Sequence, residues 1–187
     1  MSAAEEVKQK LSRVKLIAMD VDGVLTDGGI CYSGTNDESK TFNVMDGLGI
    51  RLALLAGIPV AWITGRTSDA VVRRSEELSV THLYTGILNK SVPLAELMSL
   101  YSLDASQIAY MGDDLNDLPA FSLAGVKFAP SNATIEIKSL VDFVTERAGG
   151  AGAVREFIDS VLKAQDKWTG AVEAFLAEAL KPADSRS

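Results

Sequence analysis

Four short polar clusters hold the residues best suited to chemistry: Asp20-Val21-Asp22-Gly23, Thr64-Gly65-Arg66, Asn89-Lys90 and Gly112-Asp113-Asp114-Leu115-Asn116-Asp117. Asp20 and Asp22 lie just after an apolar run. Such a pair can divide labour: one carboxylate attacks phosphorus, and the other passes a proton to or from the leaving oxygen. Asp113 and Asp114 repeat the theme further along. Several carboxylates in one crevice repel each other unless a cation joins them. Mg²⁺ suits that role, because it binds carboxylates, waters and a substrate phosphate. Thr64 and Gly65 offer a hydroxyl and a backbone N–H at a helix start, which is a phosphate cradle. Lys90 opens another predicted helix, where the dipole disfavours a cation and a bound phosphate would justify one.

Each cluster has a plainer reading when taken singly. Asp-x-Asp-Gly is turn chemistry, and Val24-Leu25 does not continue it into a calcium loop. Asp113 to Asp117 can be a capped helix start. Thr64 can simply end a strand, and a lone lysine is usually a solvated one. Nothing near His82 would make a triad, so it reads as structural. Cys31 reads as a core residue of a hairpin, and Arg73-Arg74 as a solvated helix face. Gly149-Gly150-Ala151-Gly152 lacks the full dinucleotide-binding pattern.

The elements that must position these residues follow from periodicity. Helical spacing marks residues 5–13, 47–56, 67–78, 90–101 and a long final stretch from Gly152, which Gly170 is expected to interrupt. Apolar runs at 14–19, 59–63, 82–84, 107–111, 126–129 and 143–145 read as strands. Residues 30–33 and 40–44 flank a polar turn and read as a β-hairpin. The alternation predicts an α/β domain with a doubly wound parallel sheet. In such a sheet the loops after strand carboxyl ends converge on one crevice, and all four clusters occupy such loops. Only about 35 residues separate Asp22 from the next parallel strand, and the hairpin and one helix use them. No cap domain fits. Residues 1–165 read as a single domain and 166–187 as a C-terminal helical extension and frayed tail.

Composition narrows the class. The chain has 187 residues, 47% hydrophobic and 23% charged, which is enough for a real core. No apolar run reaches the ~18 residues of a membrane helix, and the charged N-terminus is not a secretory signal. A net charge of −7 gives no basic face for nucleic acid. The single cysteine excludes an internal disulfide, and a cytoplasmic location follows as the default. A phosphoacceptor switch also uses acids, a hydroxyl, a lysine and Mg²⁺. A second carboxylate two residues past the acceptor argues for turnover instead. A non-catalytic module would not need every one of these positions filled.

In order, DVDGVLTDG at 20–28, ITGR at 63–66, NK at 89–90 and GDDLND at 112–117 resemble the haloacid dehalogenase superfamily. FNVMDGLGI at 42–50, THLYTG at 81–86 and RAGGAGAVREF at 147–157 are similar to its 3-deoxy-D-manno-octulosonate 8-phosphate phosphatase family. The likeness runs from about Val14 to Ala164. It implies that Asp20 is the nucleophile and Asp22 the acid–base. Asp20, the carbonyl of Asp22 and Asp113 would hold Mg²⁺, with Asp114 and Asp117 in an outer shell. Thr64, Gly65 and Lys90 would grip the phosphoryl group, and Arg66 is the candidate for the substrate's carboxylate. The substrate would be a small sugar-acid phosphate. A homotetramer is implied, with a neighbour's Gly149–Gly152 and Arg155 near the site. Met45 departs from the family, which often has a basic residue there. A nine-carbon sugar-acid 9-phosphate is therefore the alternative substrate.

Overall fold

The computed structural model describes residues 3–32 and 38–180. Six strands form one parallel sheet: β1 (Leu16–Met19), β4 (Val60–Ile63), β5 (His82–Tyr84), β6 (Ile108–Met111), β7 (Val126–Ala129) and β8 (Phe143–Val144). Their spatial order is β5-β4-β1-β6-β7-β8. β1 pairs with β4 through Ile17↔Val60 and with β6 through Ile17↔Ala109. β1, β4 and β6 are buried at every position, because helices cover both faces. Alternate residues serve opposite faces. Ile17, Met19 and Trp62 join a core with Phe128 and Phe157, while Leu16, Ala18 and Ile63 join one with Tyr110 and Phe121. The winding direction reverses between β1 and β6, and a crevice opens there at the carboxyl ends of the strands.

The helices are α1 (Ala3–Ser12), α2 (Val44–Leu55), α3 (Asp69–Glu77), α4 (Ser91–Leu100), α5 (Leu118–Phe121), α6 (Ile135–Lys138), α7 (Ala153–Ala164) and α8 (Trp168–Ala179). α2 and α7 are tied end to end by a buried carboxylate. Asp46, in the first turn of α2, accepts the N–H groups of Gly152 (3.2 Å) and Arg155 (2.8 Å) at the start of α7. Burial pushes the Asp46 carboxyl up, and these donors oppose that shift. The glycine-rich run therefore serves a protein carboxylate at a helix N-terminus, where a bound phosphate would otherwise be the familiar occupant. Gly49 permits the approach, since a Cβ there would meet the Arg155 Cα at 3.2 Å.

Several expectations need correction. The hairpin exists, but Cys31–Tyr32 (β2) pairs with Glu38–Ser39 (β3), not with residues 40–44. Asn43 is the reason: its side chain accepts from the N–H of Met45 (2.8 Å) and starts α2 at Val44. Cys31 is exposed and not a core residue. The final helical stretch breaks at residues 165–167 rather than at Gly170, which lies inside α8. There Asp166 adopts φ 54°, and Gln165 Nε2 donates to the carbonyls of Leu11 (3.2 Å) and Val14 (2.7 Å). The turn at 33–37 and the tail from Pro182 lie outside the described residues. α8 packs on the body of the chain through buried Ala171 and an Arg51–Glu178 ion pair at 2.9 Å. Among the described residues no helix is long and apolar enough to cross a membrane.

Candidate active site

Three of the four clusters line the crevice, and the fourth reaches it through Lys90, whose buried ammonium meets Asp20. The crevice is a cavity of about 370 Å³ lined by Asp20, Asp22, Thr64, Arg66, Asp113 and Asn116, among others. A larger open groove of about 1060 Å³ lies at the amino ends of the strands, lined by Arg13, Gly57, Tyr101 and Gln165. It gathers no cluster of carboxylates, so size does not mark the site here; convergent chemistry does.

Asp20 leaves β1 with its N–H donating to the Met111 carbonyl (3.0 Å), which fixes it against β6. Its carboxylate accepts from the N–H of Val21 (2.7 Å) and pairs with Lys90 Nζ at 2.6 Å. Lys90 immediately precedes α4 and is fully buried. Its second partner is Asp117 Oδ1 at 2.7 Å. Asp117 is saturated with donors. Oδ1 also accepts from the Tyr110 hydroxyl (2.8 Å), and Oδ2 accepts from the N–H groups of Asp113 (2.9 Å) and Asp114 (3.4 Å). Tyr110 and Asn132 were not in the sequence clusters. Asn132 donates to the carbonyl of Gly23 (3.2 Å) and accepts from the N–H of Gly149 (2.7 Å), which pins the loop after β1 to the glycine-rich run. No local signal in the sequence points to either contact.

Burial, then the charge of Asp117, pushes the Asp20 carboxyl up to about 7 against the pull of Lys90. Asp113 is likewise pushed to about 7 by burial and by Asp117 and Asp20. Desolvation alone would lower the Lys90 ammonium; Asp117 and Asp20 outweigh it and hold the group above its ordinary value. Oxygens of Asp20, Asp113 and Asp117 lie within 4.8 Å of one another. Three hard oxygen donors crowd together, and those of Asp20 and Asp113 resist ionisation, which fits a small divalent cation such as Mg²⁺. Gly23, at φ 83°, lets the loop pass the Asp113 carboxylate, which any Cβ would strike.

The remaining positions divide. Thr64 ends β4 with its N–H on the Tyr84 carbonyl (2.9 Å), and its hydroxyl faces Asp22 Oδ2 at 3.4 Å. It does not start α3, whose N-cap is Ser68. Gly65 lines the crevice. Asp114 is exposed and caps a short turn by accepting from the N–H of Leu115 (2.7 Å). Asp22 turns its side chain to Lys40, which sequence reasoning missed by placing it in a strand. Glu38 and Lys40, two residues apart, share a face of the hairpin arm, and that spacing was the available signal. Met45 lies in a separate depression, where Arg147 Nη1 approaches its sulfur at 3.5 Å, so a cation stands beside it. Arg155 pairs with Asp159 in its own helix at 2.7 Å. His82 bonds the Tyr101 hydroxyl at 2.6 Å, as a structural residue should.

A doubly wound sheet with an acidic crevice at its switch point defines a hydrolase of the haloacid dehalogenase type, and the sequence profile of the haloacid dehalogenase-like hydrolases matches residues 61–158. The chain is 43% identical to 3-deoxy-D-manno-octulosonate 8-phosphate phosphatase KdsC of Haemophilus influenzae, over 86% of this chain and 89% of that protein. It is 41% identical to the Yersinia pestis enzyme of the same name, over 90% of each. The crystal structure of the Moraxella catarrhalis phosphatase, in complex with a magnesium ion, a phosphate ion and a KDO molecule, superposes with a TM-score of 0.87 at 40% identity. That match covers 91% of this chain and 98% of that one. The chain belongs to the 3-deoxy-D-manno-octulosonate 8-phosphate phosphatase family of the haloacid dehalogenase-like hydrolases.

Proposed function

We propose that this protein is a Mg²⁺-dependent phosphatase that hydrolyses 3-deoxy-D-manno-octulosonate 8-phosphate to the free sugar acid and phosphate. The reading rests on the convergence of Asp20, Asp113 and Lys90 at the sheet's switch point, in a chain 43% identical to phosphatases of that name. A carboxylate oxygen of Asp20 attacks phosphorus, and the bond from phosphorus to the sugar oxygen breaks. Asp22 gives its proton to that oxygen. It then takes a proton from the water that attacks the aspartyl phosphate, which frees phosphate and restores Asp20. Thr64, Gly65 and Lys90 bind the phosphoryl oxygens. Lys90, behind the nucleophile, balances the charge gathering there. Mg²⁺, held by Asp20, Asp113 and the Asp22 carbonyl with Asp114 and Asp117 outside them, supplies further charge neutralisation when bound. Arg66 receives the substrate carboxylate by two parallel hydrogen bonds.

The same proposal includes a cytoplasmic setting and a homotetramer that covers the open crevice. Residues 1–165 carry the reaction, and 166–187 are an appended extension. The test is phosphate release with and without Mg²⁺ across eight- and nine-carbon sugar-acid phosphates and neutral hexose phosphates, with Asp20→Asn alongside. Preference for the octulosonate ester, lost in the variant, is expected. Equal activity on all esters would remove the substrate but keep the reaction. Preference for the nine-carbon ester would move the assignment there. No Mg²⁺-dependent release from any ester would remove both substrate and reaction.

A further inference from the structure

The hairpin arm brings a charge to the crevice that competes with any incoming anion. Arg66 donates to Glu38 through both Nε (3.2 Å to Oε1) and Nη2 (3.1 Å to Oε2). This two-pronged fork is the same geometry by which a guanidinium would grip a carboxylate from outside. Glu38 already fills it. Glu38 also accepts from Lys40 Nζ at 2.8 Å, and Lys40 pairs in turn with Asp22. The Lys40 side chain has no exposed surface and that of Glu38 only 10%, whereas that of Arg66 has 39%. Arg66, Glu38, Lys40 and Asp22 thus form a chain of alternating charge, open to solvent at its Arg66 end.

We infer that Glu38 is a specificity-determining residue that stands in for the substrate's carboxylate on Arg66 and must be displaced when a sugar-acid phosphate binds. This rests on the substrate class and the role of Arg66 proposed above. Displacement does not strand Glu38, because Oε1 keeps its bond to Lys40. Lys40 links the occupancy of Arg66 to Asp22, the acid–base residue. A neutral sugar phosphate brings no carboxylate and leaves Glu38 in place. An acid-bearing ester exchanges one carboxylate for another on the same fork. The pair is partly exposed, so Glu38 is a modest competitor that tunes selection and does not block entry.

The variant is Glu38→Gln, which keeps shape and an oxygen for Lys40 but weakens the hold on Arg66. The measurement is KM for the octulosonate 8-phosphate divided by KM for a neutral hexose phosphate, in wild type and variant. The ratio is expected to fall roughly two- to fivefold in the variant. Binding of the free sugar acid, followed by calorimetry, is expected to tighten by the same factor. If Glu38 merely held Arg66 in position, both changes would have the opposite sign. A ratio that rises or stays constant overturns the inference while leaving the phosphatase reading intact. In an Arg66→Gln background the effect of Glu38→Gln is expected to vanish, and its persistence there overturns the inference too. A wild-type enzyme with no preference for acid-bearing esters would instead overturn the substrate reading on which the inference stands.

Discussion

Replacing Lys90 with methionine keeps the side chain up to the position of its last carbon and removes the buried cation between Asp20 and Asp117. Breaking a buried ion pair on one side generally costs about 3–5 kcal/mol. Here the cost depends on pH in a definite direction. The folded carboxyl of Asp20 sits at about 7, above its usual value, with Lys90 holding it down. A carboxyl whose folded value is raised takes up protons on folding. Its contribution to stability is full below the unfolded value near 3.9 and falls as pH rises to the folded value. In wild type that decline ends near 7. Without Lys90 the folded value climbs, so the decline continues to higher pH. The two stability curves should therefore run parallel between pH 5 and 7. Above 7 they should separate by up to about 1.4 kcal/mol per pH unit for each such carboxyl. Urea unfolding of both proteins in EDTA, at intervals from pH 5.5 to 8.5, measures this. A constant difference across the range would refute the account of Lys90 as the counter-charge of Asp20.

Two further perturbations probe the crevice and the tie between α2 and α7. Gly23→Ala forces a Cβ onto the Asp113 carboxylate at a left-handed backbone position. It should lower Mg²⁺ affinity by roughly tenfold in calorimetry while circular dichroism stays native; unchanged affinity would show that Asp113 does not depend on this approach. Asp46→Ala removes the acceptor shared by the Gly152 and Arg155 N–H groups and should destabilise the protein by about 1–3 kcal/mol in urea unfolding. Asp46→Asn, which keeps one carbonyl oxygen, should recover part of that loss, and equal stabilities of both variants and wild type would show that the tie between α2 and α7 carries little.

The sequence made the sheet legible because its strands are buried on both faces, and runs such as LIAM, VAWI and IAYM have few other readings. The clusters at their carboxyl ends were legible for the same reason, since strand ends fix where loops emerge. Elements governed by side-chain contacts were harder to read. Asn43 is a favoured cap residue, but the apolar residues beside it, Phe42 and Val44, also suit a strand, so the second hairpin arm reads two residues late. The break before α8 depends on Gln165 reaching Leu11 and Val14, far back in the chain. Lys40 and Glu38 lay hidden for a related reason. Their partners Asp22 and Arg66 are distant in sequence, and charged residues in a hairpin ordinarily face water.

The position of β1 also bears on how the chain is made. β1 lies at the centre of the sheet, yet its residues are synthesised before those of every other strand. Its edge toward β4 is matched once residues 60–63 emerge, but its other edge waits for residues 108–111. During that interval the nascent chain carries an apolar strand with one row of unpaired backbone groups, and such an edge recruits other chains. Asp20, at the end of that strand, meets Lys90 before it can meet Asp113 or Asp117. Completion of β6 therefore closes the exposed edge and brings the last carboxylates to the crevice in one step of synthesis.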